Sequence, residues 1–227
     1  MKNLVVLTGA GISAESGLKT FRDADGLWEG HDIMEVASPI GFKNNPALVL
    51  DFYNQRRRQL HTVLPNKAHI NLKELETQFK VTIITQNVDD LHERAGSTKV
   101  IHLHGELLKV RSTKNPTLIY NWKEDLVLGD LCEEKAQLRP HIVWFGEDVP
   151  LLEIAAEITL QADILVIVGT SMQVYPAASL INYTQPNIPI YFIDPKPTIN
   201  ESHYKNLKII KDIASSGTDK LLEFLRN

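Results

Sequence analysis

The sequence predicts an α/β fold, a doubly wound parallel sheet covered by helices on both faces, with a smaller subdomain inserted beside it. Three observations lead there. Short β-branched apolar runs alternate with longer helical patterns; a glycine-rich turn follows the first run; and two polar, irregular stretches, 23–64 and 105–139, interrupt the alternation.

The expected strands are LVVLT (4–8), VTIIT (81–85), VIHLH (100–104), HIVWF (141–145), DILVIVG (163–169), IPIYFID (188–194) and LKIIK (207–211). Near-continuous apolar runs of this length suit strands buried on both faces of a parallel sheet. Helices are predicted over 46–64, 66–79, 150–161, 176–182 and 218–225, the first opened by Asn45 as cap and Pro46 in the first turn. The alternation assigns 1–22, 65–104 and 140–227 to a larger, Rossmann-like unit, and 23–64 with 105–139 to the subdomain.

A chain of 227 residues, 43% hydrophobic and 23% charged, is long enough to bury a sizeable core. Its net charge is -4 and its one dense basic run is Arg56, Arg57 and Arg58, which argues against a nucleic-acid surface. The single cysteine, Cys132, cannot form an internal disulfide, and MKNLVVLTGAGIS lacks the apolar core of a secretory signal, so the expected compartment is the cytoplasm. The best uncharged apolar run, ILVIVG at 164–169, is far shorter than the roughly 18 residues of a membrane span, and no membrane association is expected.

Directly after the first strand comes GAGISAESG. Gly9 and Gly11 would let backbone approach a pyrophosphate, with amide donors from the following helix start. The spacing departs from GxGxxG, and a glycine turn needed only for tight strand–helix packing fits this segment equally well.

Read whole, GAGISAESGLKTFRDADGLWEG resembles the cofactor-binding segment of sirtuins, and TQNVDDLHERAG (85–96), HLHGEL (102–107), LRPHIVWFGE (138–147) and GTSMQVYPA (169–177) resemble further segments of that family in the same order. The resemblance spans nearly the whole chain. It implies an NAD-dependent enzyme that removes acyl groups from protein lysines, giving nicotinamide, free lysine and O-acyl-ADP-ribose. In that chemistry positive charge builds on the ribose carbon as nicotinamide leaves, an acyl-lysine oxygen captures it, and a histidine acts as general base on a ribose hydroxyl.

The resemblance picks His104, directly before Gly105, as that base; its neighbour His102, expected on the same strand face, reads as structural. It also implies NAD contacts from Gly9, Ala10, Gly11, Ser13 and Trp28, from a loop of Thr20, Phe21 and Arg22 that shields the reacting centre, and from Gln86, Asn87 and Val88, with Asp89 on the nicotinamide carboxamide. Gly169, Thr170 and Ser171 would meet the adenosine half, Asp194 the adenine ribose and Ala214 the adenine. Without the resemblance, Asn87, Asp89 and Asp90 would read as turn and cap residues.

Tyr53 and Arg56, three apart in DFYNQRRRQL, share a helix face and could form a carboxylate receptor. The pair resembles the signature of sirtuins that remove succinyl and malonyl groups, and Ala37 resembles their small pocket residue. Composition alone would instead make Arg56 a surface charge and Tyr53 core. A peptide substrate is expected to pair as a strand near Phe145, Gly146 and Glu147, with Val143 and Trp144 beside the acyl-lysine tunnel.

One departure concerns metal. Most sirtuins hold zinc on two cysteine pairs, but here Ser112 and Asn115 stand at the first-pair positions and only Cys132 remains in the second region. One thiolate with no histidine between 105 and 140 cannot supply structural zinc, so a zinc-free subdomain is expected, packed on Leu118, Ile119, Tyr120, Trp122, Leu126, Val127 and Leu128. Two other functions compete: ADP-ribosyl transfer or NAD hydrolysis on the same fold, and non-enzymatic NAD binding.

Overall fold

The structure, a computed structural model, describes residues 1–19, 27–28, 30–199 and 201–226. Its strands, in chain order, are β1 (Asn3–Thr8), β2 (Leu27–Trp28), β3 (His31–Asp32), β4 (Lys80–Thr85), β5 (Val100–His102) and β6 (Gly105–Ser112), then β7 (Ile119–Asn121), β8 (Leu138–Ile142), β9 (Ile164–Val168), β10 (Ile190–Ile193) and β11 (Leu207–Ile210). The helices are α1 (Ile33–Val36), α2 (Pro39–Asn44), α3 (Pro46–Thr62), α4 (Lys67–Glu74), α5 (Leu91–Arg94), α6 (Leu152–Leu160) and α7 (Ala214–Arg226).

Six parallel strands form the larger sheet in the order β11-β10-β9-β1-β4-β5. Counted within this sheet alone, the order is the 3-2-1-4-5-6 of doubly wound dinucleotide-binding folds, reversing between β1 and β9. Side chains alternate strictly between its faces. Val5, Leu7, Leu165 and Ile167 enter one apolar cluster, while Leu4, Val6, Val166 and Val168 enter the other. Each such buried side chain contributes about 1.5–3 kcal/mol of transfer free energy, which is why these strands carry no polar alternation.

A three-stranded antiparallel sheet, β7-β6-β8, stands beside it. HIVWF, expected in the parallel sheet, does not join it: the strand is β8, at 138–142, paired with β6 through Arg111↔Arg139 and Val110↔Pro140. An apolar run cannot by itself specify its partner. Pro140, which cannot donate a ladder bond, is accommodated because β8 is an edge strand.

Several element bounds also differ from expectation. α4 stops at Glu74 and tightens into a 3-10 turn over Leu75–Thr77, and the 176–182 helix is a 3-10 stretch, Ala177–Tyr183. α7 begins at Ala214, earlier than expected, because the Glu15 carboxylate accepts the Ser215 amide over 2.9 Å, a cap supplied from 200 residues away.

Helix α3 ties the two insertions together. Asn54 donates to the Leu126 carbonyl (2.9 Å) and accepts the Leu126 amide (2.8 Å), buried Arg57 donates to the Leu107 carbonyl (3.3 Å), and Arg58 forms a forked pair with Asp125. Beneath them Leu50, Val110, Leu126, Cys132 and Leu138 form an apolar cluster lined by Leu118, Tyr120 and Trp122. The rest of the expected packing set, Ile119, Val127 and Leu128, is exposed instead. β7 is an edge strand, and Ile119 and Asn121 on either side of Tyr120 point outward.

Candidate active site

The glycine loop and the β9 loop interlock at the point where the strand order reverses. Gly9 N–H donates to the Val168 carbonyl (3.1 Å) and Gly11 N–H to the Gly169 carbonyl (2.8 Å). A Cβ on Gly11 would stand 2.7 Å from Gly169 Cα, and one on Gly9 2.7 Å from Thr170 Cβ. Gly169 itself has φ +63°, and a Cβ there would meet Ile12 N at 2.3 Å. The glycines are thus required for close approach of one loop to the other, a role that neither reading of the segment anticipated. The turns that follow are 3-10, Ala10–Ile12 and Ala14–Ser16, instead of an α-helix start.

Across this seam lies the loop after β4. Gln86 donates to Thr170 Oγ1 (3.1 Å), joining it to the GTS turn. The Asn87 amide group donates to the Gly9 carbonyl (3.2 Å) and to Ser13 Oγ (3.1 Å), and Ser13 in turn donates to Asp89 (2.9 Å). Burial raises the Asp89 carboxyl above its ordinary range, opposed by the Leu91 amide and Ser13. By accepting Leu91 N–H at 3.1 Å, Asp89 also serves as the turn residue its local sequence suggests.

The segment 102–107 grips this loop from the other side. Leu103 N–H meets the Thr85 carbonyl, His104 Nδ1 the Gln86 carbonyl (3.0 Å), His102 Nδ1 the Asn87 carbonyl (3.1 Å) and Leu107 N–H the Val88 carbonyl, so four consecutive carbonyls are bound. Strand β5 ends at His102, which puts His104 in the turn beyond it and not on the expected shared strand face, yet both rings reach the same loop. A carbonyl can only accept, so Nδ1 of His104 carries the hydrogen and Nε2 keeps its lone pair. Burial lowers the His104 pKa, partly offset by the Gln86 carbonyl, which favours the neutral ring.

On the small-sheet side, Tyr53 and Trp144 are buried together: the indole N–H donates to the Tyr53 hydroxyl over 3.0 Å. Burial pushes the phenol pKa up, opposed by Trp144 and by nearby Arg139 and Arg56. The three arginines of α3 have separate surroundings. Arg58 pairs at the surface, Arg57 is buried, and Arg56 lies with its guanidinium 4.3 Å from the centre of the Phe52 ring. Ala37 is buried in the same cluster as Tyr53 and Trp144, and its carbonyl accepts Phe145 N–H at 2.9 Å.

Residues 144–147 form a tight turn, closed by Glu147 N–H on the Trp144 carbonyl, with Gly146 at φ +89° and Phe145 exposed. Val143 N–H donates to the His104 carbonyl at 2.9 Å. The amides of Val143, Phe145 and Glu147 are therefore already engaged within the chain, which narrows the expected strand-pairing surface towards Gly146.

Sequence reasoning missed the group that fixes this turn. Glu147 accepts from Arg139 (2.6 and 3.1 Å), Arg111 (3.1 Å) and the Trp144 amide (2.8 Å), and Arg139 lies 3.3 Å from the centre of the Trp144 ring. Burial raises the Glu147 pKa, but its donors outweigh that and hold it below the usual carboxylate range. Contacts assembled from β6, β8 and a turn leave no local signal. Of the remaining expected NAD residues, Asp194 is buried after β10, accepting Lys196 N–H (2.8 Å), and Ala214 opens α7. Thr20, Phe21 and Arg22 lie outside the described residues; Trp28 forms β2, paired with His31.

Residues 9–176 match the Sir2 family. The chain is 69% identical over 222 residues to an NAD-dependent protein deacylase of Helicobacter pylori strain J99, covering 98% of this chain and 94% of the relative. A solved Sir2 homologue in complex with NAD superposes with a TM-score of 0.86 at 39% identity, covering 99% of this chain and 90% of the other. A Sir2 structure bound to acetylated peptide gives a TM-score of 0.80 at 28% identity, covering 98% and 93%.

Proposed function

The chain belongs to the Sir2 family, and on that footing we propose that it removes acyl groups from protein lysines in an NAD-dependent reaction, accepting succinyl and malonyl as well as acetyl lysine. The observation that carries the reading is the His104–Gln86 hydrogen bond, which leaves a neutral imidazole with a free Nε2 lone pair beside the loop after β4. A base so held can take a proton near neutral pH.

The residues present fit NAD. A crevice at the carboxyl ends of β1 and β9, with loops interlocked by glycines, is where α/β sheets hold dinucleotides. The Asp194 carboxylate suits ribose hydroxyls and would repel a 2'-phosphate, which favours NAD over NADP. When bound, NAD would supply a ribose carbon that an acyl-lysine oxygen can capture as nicotinamide leaves; with one water consumed to release the amine, the products are nicotinamide, free lysine and O-acyl-ADP-ribose. His104 accepts the ribose-hydroxyl proton, the linked trio Asn87, Ser13 and Asp89 orients the sugar and carboxamide, and Gln86 is held separately by Thr170 on the ribose side.

For the acyl group, Tyr53 and Arg56 provide a phenol and a guanidinium on one helix face beside Ala37. That combination suits a carboxylate at the end of a short chain. The test is nicotinamide release with no peptide, acetyl-lysine peptide and succinyl-lysine peptide in parallel. Release should require an acylated peptide, His104→Ala should abolish it, and Arg56→Met should impair desuccinylation far more than deacetylation. Release independent of peptide would instead indicate NAD hydrolysis or ADP-ribosyl transfer, and equal losses in Arg56→Met would remove the acidic-acyl preference.

The small sheet is proposed to fold without zinc. Ser112 Oγ lies 3.4 Å from Cys132 Sγ and accepts the Lys114 and Asn115 amides, and Asn115 donates to Glu134. One thiol beside a hydroxyl and an amide, with the nearby carboxylate already taken by that amide, does not fit a structural zinc donor set. Among the described residues no helix is long and apolar enough to cross a membrane, and the partners proposed are acylated proteins, with neither nucleic acid nor membrane among them.

A further inference from the structure

We infer that helix α5 sets the backbone of Asn87 through two histidine relays, which makes His102, Glu93 and His92 positioning residues for the reaction proposed above, on which the inference rests. The relays start from consecutive residues. Glu93 accepts His102 Nε2 at 2.7 Å, and His102 Nδ1 meets the Asn87 carbonyl at 3.1 Å. His92 Nε2 lies 3.1 Å from Thr8 Oγ1, Thr8 donates to Thr85 Oγ1 at 2.8 Å, and Thr85 Oγ1 accepts Asn87 N–H at 3.0 Å. Both backbone polar groups of one residue are thus governed from neighbouring positions on one short helix, by separate routes.

With Thr8 donating its hydrogen to Thr85, it accepts from Nε2–H of His92. His102 stands between two acceptors, a carboxylate and a carbonyl, so both ring nitrogens can donate only when the ring is an imidazolium. Burial opposes that charge, but Glu93 outweighs it and the His102 pKa rises, opposite in sign to His104.

Consequences reach the reacting groups directly. The Asn87 side chain holds Ser13 and the Gly9 carbonyl, Ser13 holds Asp89, and the preceding carbonyl, of Gln86, orients His104. Release of Asn87 would displace all four. Thr8, Thr85 and His92 are fully buried, so no water can substitute for a missing link.

The experiment compares His102→Ala, His102→Asn and Glu93→Gln with the full-length wild type in three measurements: NAD affinity by calorimetry, steady-state kcat with both KM values, and Tm. His102→Ala should weaken NAD binding about tenfold, the effect of one charge-assisted bond, and lower kcat, while the KM for acylated peptide stays within about twofold. His102→Asn, whose amide can still donate to the Asn87 carbonyl, should recover most of both losses, and Glu93→Gln should fall between. Wild-type NAD affinity in His102→Ala would overturn the relay, as would equal losses in the Ala and Asn variants that track Tm alone. A wild type that binds NAD but releases no nicotinamide with acylated peptide would sink the deacylase reading, and the affinity arm would then decide the relay alone.

Discussion

Trp144 donates its indole N–H to the hydroxyl of Tyr53 across 3.0 Å, in a cluster where neither side chain reaches solvent. Tyr53→Phe leaves that donor buried without its acceptor, at a cost of about 1–3 kcal/mol. For a chain of this size the expected fall in Tm is several degrees, roughly 2–4 °C per kcal/mol. Thermal denaturation checks it; an unchanged Tm would mean that the indole finds another acceptor.

Glu147→Gln should be more damaging. The substitution leaves Arg139 and Arg111 as mutually repelling, mostly buried cations and loosens the turn at 144–147. Breaking a buried pair in this way costs about 3–5 kcal/mol. Chemical denaturation should register the loss, with a raised KM for acylated peptide and little change in the KM for NAD.

Stability should fall in mild acid through His69, which is buried against His92, with ring centres 4.9 Å apart. Burial lowers the His69 pKa to about 4, and His92 shifts in the same direction. Below the ordinary histidine pKa the unfolded chain gains protons that the folded chain refuses, so stability is full above about pH 6.5 and declines towards pH 4. The raised pKa of His102 acts with the opposite sign. His69→Gln should flatten this slope by an amount on the order of 3 kcal/mol, because glutamine keeps the capping box with Asn66 and does not titrate. A pH–stability profile as steep as wild type would contradict it.

Gly169→Ala should fail to give stable protein. Its φ of +63° and the 2.3 Å approach of the new Cβ to Ile12 N combine backbone strain with a clash against main chain that cannot move aside. At least about 3 kcal/mol is expected. Soluble yield and denaturant midpoint measure it.

Chelation should leave the fold intact. With Cys132 packed among Leu50, Val110, Leu126 and Leu138, a large molar excess of EDTA is expected to leave the Tm of active protein unchanged. Stoichiometric zinc in purified protein, or a Tm that drops on chelation, would show otherwise.

The parallel strands were legible because their residues are buried on both faces and uniformly apolar, as in ILVIV of β9. The order of the motifs pointed to the family. What could not be read locally depends on distant partners: β8 takes its place from β6, α7 begins where Glu15 caps it, and Glu147 matters because two arginines converge on it. Gly9 and Gly11 stand out in the sequence for the property that matters, absence of a side chain, but the surface that comes close is the Gly169–Thr170 turn. His102 reads as an ordinary structural histidine because its two acceptors lie outside its own strand, on a loop and a helix 15 and 9 residues earlier.

The reciprocal bonds between Asn54 and Leu126, with Arg57 on Leu107, make α3 and the antiparallel strands a single lever. Tyr53 and Arg56 both stand on α3, so a substitution that breaks these bonds would disturb the two together. Loss of α3's anchoring to Leu107 and Leu126 would therefore be felt at both positions at once, without any change to either side chain.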